Sequence, residues 1–478
     1  MGGGTVLAIG AGEARAIAPG ARRTINARHL MAMPGLVNAH VHSNEAFERG
    51  LHGTVSLEPW LARAYPPLGA PAVPLRWHYL RALLVACDAI HSGTIAIQDD
   101  CLNPGCDPDA LDQVMQAWAD SGLRAAVATT LADRSYLDGL PFARQICPPQ
   151  LRAQLDARTP LSIDHQADFF TQAHQRWNAA ANGRLQVILG PRGPQRCSDT
   201  LMRRLVQLRE RHDAAIHMHV LESRLQLAAS NVQACGGHAE GGFLQRLQRA
   251  GLLDSRLTIN HAVWLGERDI ERLAASGACV THNPLSNLRL GSGRAPLRAL
   301  LEAGVPVALG SDGPATGDTA DMLAVLRATS LIHRDPQVPR TRWIGPDDAW
   351  HAATRGGARS MRLGPQHGQL VVGAPADLIL VDTRHRAFVP MNDPIAQLAW
   401  SASPEVIDTV IVAGSVLMHE RRIEAFDETA VLTEAQAAAQ AWRELHLPGQ
   451  MASGAAFDPL LSEVIARASA HANPVATL

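Results

Sequence analysis

Histidines in this chain fall at a few positions where they could work together. His40-Val-His42 closes the run Pro34-Gly-Leu-Val-Asn-Ala, and His217-Met-His219 stands just before Glu222. His261, His282 and Asp312 each end a further short apolar segment, in Ile259-Asn-His261, Thr281-His282-Asn283 and Gly310-Ser311-Asp312-Gly313. In an extended strand, residues i and i+2 point the same way, so His40 and His42 can offer two neutral nitrogens to one borderline-soft cation such as zinc. A single H-x-H pair arises often by chance. Polar residues at the ends of five apolar strands are harder to dismiss, because burying histidines and carboxylates together is costly without a charge to coordinate.

Elements able to bring these residues together are readable. Candidate strands cover Gly35–His42, Thr94–Asp99, Arg124–Thr130, Leu185–Gly190, Ala215–Leu221, Leu257–Val263, Ala278–His282 and Pro306–Gly310. Helical stretches alternate with them, among them Gly242–Leu253, Glu267–Ala275 and Pro296–Ala303, the last two followed by the stops Gly277 and Gly304. Eight strands alternating with helices predict an α/β chain with a TIM-type (β/α)8 barrel over residues 34–366, its catalytic groups at the C-terminal rim.

The chain ends differ. Residues 1–33 and 367–425 carry short alternating strands with turn glycines, predicting one small β-sandwich built from both ends. Residues 426–478 form a C-terminal helical extension around the helix-prone Thr433–Leu445. Two long connections, Gly53–Leu75 and Asp133–Gly183, would lie where a substrate enters.

Composition excludes several classes. Lysine plus arginine total 43 against 45 acidic residues, a net charge of -2, and no basic stripe marks a nucleic-acid binder. No apolar run is long enough to span a bilayer, and the glycine-rich start does not read as a signal peptide. Seven cysteines without a C-x-x-C pair fit scattered thiols in a reducing cytoplasm. Lysine is absent altogether, which removes Schiff-base, P-loop and pyridoxal-phosphate chemistry.

In this order, P-G-L-V-N-A-H-V-H-S, H-V-L-E, I-N-H-A, H-N-P-L-S-N and G-S-D-G resemble the amidohydrolase superfamily over nearly the whole chain. The likeness is to its triazine-hydrolase and aminohydrolase branch, with the cytosine-, guanine- and adenosine-type deaminases. It implies His40, His42, His219 and Asp312 as ligands of one divalent metal, zinc by preference and ferrous iron as the alternative. Glu222 matches the branch's proton-shuttling glutamate, His261 the histidine that orients the attacking water, and His282 a residue near the substrate. The spacing to Glu222 favours His219 over His217 as ligand, leaving His217 as a hydrogen-bonded core residue. Relatives with two metals bridge them through a carboxylated lysine, which this chain cannot make. A mononuclear centre follows.

The implied reaction is hydrolytic deamination of an amino-substituted nitrogen heterocycle: a pyrimidine, purine, pterin or triazine. Asp312 would accept the water's proton, His261 would steady the developing charge, and Glu222 would protonate a ring nitrogen. Loss of chloride or alkylamine from such a ring, or cleavage of an acyclic amidine or urea, are the alternatives; a silent binding relative is a third. The resemblance implies a homo-oligomer, a dimer, with a small-molecule substrate and neither nucleic-acid nor membrane partner.

Specificity residues are sought around the rim. Arg192 stands where many relatives have a histidine, so it either pairs with a substrate carbonyl or carboxylate or forms a structural ion pair; the departure speaks against a nucleoside. Gln98, beside Asp99 and Asp100, is expected to contact substrate, as is Trp264 by stacking on a flat ring. Glu45 could bind substrate N–H groups, with a solvated helix start the preferred reading.

Overall fold

Strands such as Leu185–Pro191 and Ile216–Val220 are buried nearly end to end, as expected of parallel strands covered on both faces. The computed structural model describes residues 1–10, 20, 21, 23–101, 105–234 and 242–471. After a short β1 (Leu30–Pro34) come β2 (Leu36–Val41), β3 (Thr94–Asp99), β4 (Arg124–Leu131), β5 (Leu185–Pro191), β6 (Ile216–Val220), β7 (Leu257–His261), β8 (Cys279–His282) and β9 (Val307–Leu309). The strands β2 to β9 pair in chain order, all parallel, as one eight-stranded sheet curled into a TIM-type barrel.

Between β9 and β2 no ladder forms; the seam is stitched by a few specific bonds. Asp312 N donates to His40 O at 3.0 Å. Asn38 Nδ2 donates to Ser311 Oγ at 2.8 Å, and Ser311 N donates back to Asn38 Oδ1 at 3.0 Å. Gly310 lets the two sides close: a Cβ there would lie 2.5 Å from Asn283 Oδ1 and 2.8 Å from His40 Cβ. The barrel is therefore distorted where two of the expected site residues meet.

Strands from both chain ends combine beside the barrel. β1 joins β10 (Leu378–Asp382), β11 (Ile407–Val412), β12 (Ser415–His419) and β13 (Arg422–Ile423) in a five-stranded antiparallel sheet. Alternation gives it two faces. Ile379, Val381 and Ile407 extend the barrel core, whereas Leu378, Leu380 and Ile411 cluster with Val6 from the chain start.

Both long connections contain helices. Leu57–Ala64 occupies the first; Pro149–Asp156 and Ile163–Trp177 occupy much of the second. Phe170 of the latter is a fully buried core residue rather than an entrance residue. The C-terminal helix runs much further than expected, over Glu428–His471, and contains Pro448 and Pro459. Its Trp442 packs with Phe47 and Leu80, and Phe457, Leu461 and Val464 pack with Leu137 and Leu225. Among the described residues the six cysteines are buried and unbridged, with Cys235 outside them, and no helix is long and apolar enough to cross a membrane.

Candidate metal centre

At the C-terminal rim, β2 delivers His40 and, one residue past its end, His42; β6 delivers His219, the end of β7 delivers His261, and the turn after β9 delivers Asp312. His42 Nδ1 donates to the Asp100 carbonyl at 2.6 Å, which leaves Nε2 facing inward with its lone pair. Beneath it, Asn260 Nδ2 donates to His217 Nε2 at 2.8 Å, so that nitrogen is an acceptor. His40 Nδ1 therefore donates to it at 2.7 Å, and His40 Nε2 is turned into the site without a hydrogen-bond partner.

Four donor atoms converge. His42 Nε2 lies 3.3 Å from His219 Nε2, and Asp312 Oδ1 lies 3.3 Å from His40 Nε2 and 3.4 Å from His42 Nε2. A tetrahedral ion with arms of about 2.0–2.1 Å separates its ligand atoms by about 3.3–3.4 Å. Two imidazole nitrogens facing each other at that distance, beside a carboxylate oxygen, fit a small divalent cation. The same atoms form two overlapping groups, His40–His42–His219 and His40–His261–Asp312, each within 4.8 Å.

Backbone strain accompanies this arrangement. Leu221, His261 and Asp312 have φ of 54°, 69° and 62°, the left-handed region that non-glycine residues avoid. Such positions persist where the surroundings over-determine them, and here each lies at a strand end beside the site.

Electrostatics separates the two carboxyl groups. Burial raises Asp312, but the close approach of His40 and the neighbouring imidazoles outweigh this and hold it well below the usual carboxylate range. Glu222 goes the other way: burial, reinforced by the charges of Asp312, Glu58 and Glu45, pushes it well above that range. The two carboxyls are pushed in opposite directions, the division an acid–base pair needs. His261 bridges them, with Nδ1 3.6 Å from Glu222 Oε1 and Nε2 3.9 Å from Asp312 Oδ2. Its Nδ1 donates to Asn287 Oδ1 at 2.9 Å.

His42, His219, Glu222, His261, Asp312 and Arg192 line one cavity of about 810 Å³. His40 lies just beneath its wall. Three expected substrate contacts are elsewhere. Gln98 faces inward one layer too deep, where its carboxamide holds His217 Nδ1. His282 points outward, because its neighbour Asn283 takes the inward position next to His40; its Nε2 meets His333 Nε2 at 3.1 Å. Trp264 turns away, donating to Ser292 O at 2.9 Å under the guanidinium of Arg224.

Two further parts of the wall differ from expectation. Glu45 is fully buried in the cavity wall, not solvated; its Oε1 accepts from Tyr65 Oη at 2.6 Å. Burial, with the Asp312 charge added, pushes its carboxyl up to about 8 despite His42 and Tyr65. Its Oε2 also demands Gly313, where a Cβ would lie 1.8 Å away. The acidic residue three after His42 was the only signal for Glu45. Nothing in the sequence announced that Trp442 and His446 of the C-terminal helix would close the cavity from the far side.

A parallel barrel whose strand ends gather histidines and a carboxylate around an open cavity defines the class of barrel hydrolases. The chain belongs to the amidohydrolase family, which it matches over residues 31–417. It is 32% identical over 418 residues to a 5-methylthioadenosine/S-adenosylhomocysteine deaminase of Pelotomaculum thermopropionicum, covering 87% of this chain and 86% of that one. It is 31% identical to a 5′-deoxyadenosine deaminase of Methanosarcina barkeri, covering 87% of each. Two solved structures share the fold. An adenosine deaminase from Xanthomonas campestris with bound zinc has a TM-score of 0.79 at 24% identity over 92% of both chains. A zinc complex of atrazine chlorohydrolase from Arthrobacter aurescens has a TM-score of 0.79 at 23% identity, over 92% of this chain and 94% of that one.

Proposed function

We propose that the protein is a mononuclear, metal-dependent aminohydrolase that releases ammonia from an amino-substituted nitrogen heterocycle, with adenine-type compounds the first class to test. As an amidohydrolase it cleaves C–N bonds other than peptide bonds. The observation that carries the reading is the convergence of His40, His42, His219 and Asp312 at 3.3–3.4 Å beside Glu222, whose carboxyl burial pushes up. The relatives' adenosine-type substrates outweigh the expectation against nucleosides drawn from Arg192.

His40, His42, His219 and Asp312 would hold the cation, zinc first and ferrous iron second. When bound, such an ion lowers the pKa of a water towards about 7 and makes it a nucleophile at neutral pH. Asp312, ionised at neutral pH, takes the proton that water loses. His261, fixed by Asn287, orients the water and steadies the charge that grows as it adds to the ring carbon. Glu222 gives its proton to the adjacent ring nitrogen. The amine then takes the proton held by Asp312 and leaves as ammonia, while the new hydroxyl returns a proton to Glu222 and becomes the carbonyl. Oligomerisation as a dimer and a cytoplasmic location belong to the same proposal.

Purified protein incubated with adenine-type, pyrimidine, pterin and triazine amines should release ammonia from at least one class. Glu222→Gln should lower kcat by about 10²- to 10⁴-fold while metal content stays unchanged. Chloride or alkylamine release without ammonia would move the reading to another leaving group.

A further inference from the structure

One part of the cavity wall is unexplained by the deamination chemistry. Arg192 follows β5 directly, and Arg196 ends the single turn Pro194–Arg196 that comes next. Both side chains line the cavity and are half-buried. Among the described residues, no carboxylate forms an ion pair with either. Arg196 makes one side-chain hydrogen bond, from Nε to the Arg134 carbonyl at 3.3 Å, and its stem is pinned where a Cβ on Gly139 would lie 2.5 Å from Cδ. Among the described residues the Arg192 guanidinium makes none, with Asp100 and Tyr65 acting on it only at longer range. Between them, Gln195 also lines the cavity and holds a buried carboxamide oxygen with no partner. Amide oxygen and nitrogen are interchangeable by a flip, so Gln195 can equally present an N–H.

Two guanidiniums on the same half-buried wall, both short of partners and the charge of Arg192 lowering the basicity of Arg196, are a costly arrangement. It becomes favourable when an anion fills the space. Planar guanidinium forks match a planar carboxylate through paired N–H donors. A dianionic phosphate suits the cavity less well, since Glu45 and Glu58 line it too.

We propose that Arg192, Gln195 and Arg196 form a subsite for a carboxylate carried by the heterocyclic substrate, so that the protein's natural substrates are acids. This rests on the aminohydrolase reading, and it makes Arg192 and Arg196 specificity-determining residues rather than catalytic ones.

Matched pairs of compounds test it: adenosine-5′-carboxylate against adenosine-5′-carboxamide, and cytosine-5-carboxylate against cytosine-5-carboxamide. The first pair places the acid on a tail, the second on the ring. The metal-loaded enzyme should prefer the acid of at least one pair by about 10- to 100-fold in kcat/KM. In Arg192→Gln and Arg196→Gln the ratio of acid to amide should fall to within about threefold, through KM, and Arg192→Lys should restore part of it. Equal turnover of acid and amide by the parent enzyme, or variants that keep the ratio, would overturn the subsite. Should no compound release ammonia, the deaminase reading fails, and the subsite is still read by thermal shift with the same pairs. A larger shift with the acids that vanishes in Arg192→Gln supports it; identical shifts overturn it. A variant that misfolds is replaced by Arg192→Lys, whose ratio must fall between those of parent and glutamine forms.

Discussion

The backbone amide of Asp312 donates to the carbonyl of His40 across 3.0 Å, joining the last barrel strand to the first at the point where both side chains enter the site. Closing the barrel and placing His40 Nε2 3.3 Å from Asp312 Oδ1 are thus one structural event. Gly310 makes the approach possible. Gly310→Ala should push His40 and Asn283 aside, costing about 1–3 kcal/mol as overpacked cores do, and it should also lower metal occupancy. Denaturant unfolding and metal analysis check both; unchanged occupancy would uncouple the seam from the site.

One ion per chain is expected. No lysine is available to bridge a second one, and the convergent donors describe a single centre. Removing the metal with a chelator should abolish activity and lower Tm, since ion at 100 times its Kd stabilises by about 2.7 kcal/mol. One equivalent of zinc should restore both. His219→Ala should fail to recover. Two ions per active chain would refute the mononuclear reading.

Stability of the metal-free protein should peak near neutrality, for opposing reasons on either side. Burial lowers His40 to about 4 and holds His217 and His219 well below the usual imidazole range, so between pH 4 and 6.5 the unfolded chain binds more protons and stability rises with pH. Against this, Glu45 at about 8 keeps a proton that the unfolded chain gives up near 4.5, and His42 at about 9 one that it gives up near 6.5, so the contribution of each falls as pH rises between its two values. Glu45→Gln should remove the part of the fall that runs from about pH 4.5 to 8 and leave the part due to His42. Tm measured across pH on chelator-treated protein tests this.

The sequence carries the barrel clearly because parallel strands buried on both faces must be continuous apolar runs. A polar residue at the end of one, such as His261 or Asp312, then stands out. Facing is harder to read. Alternation within β8 is set by tertiary packing, and it gives Asn283 rather than His282 the inward position. Gln98 has the right direction at the wrong depth, where His217 claims it. The left-handed backbone at Leu221, His261 and Asp312 has no sequence signature, since none of the three is glycine. Pro448 and Pro459 would ordinarily end a helix, so Thr433–Leu445 was all that periodicity could support.

That long helix bears on catalysis through Trp442. The indole is almost fully buried, stacks on His446 at 5.3 Å, and with Phe47 encloses the Arg81 guanidinium, 5.6 Å from one ring and 4.9 Å from the other. One turn further on, Gln450 Nε2 donates to Glu48 Oε2 at 3.1 Å, tying the helix to the segment that follows β2. Since Glu45 belongs to that same segment, the helix braces one side of the cavity while forming another. Trp442→Ala should cost about 3–5 kcal/mol, as other large aromatic truncations do. It should also raise KM more than it lowers kcat, because the wall is lost while Asp312 and Glu222 remain on barrel strand ends. A kcat loss with KM unchanged would mean instead that the helix acts on the reacting groups themselves.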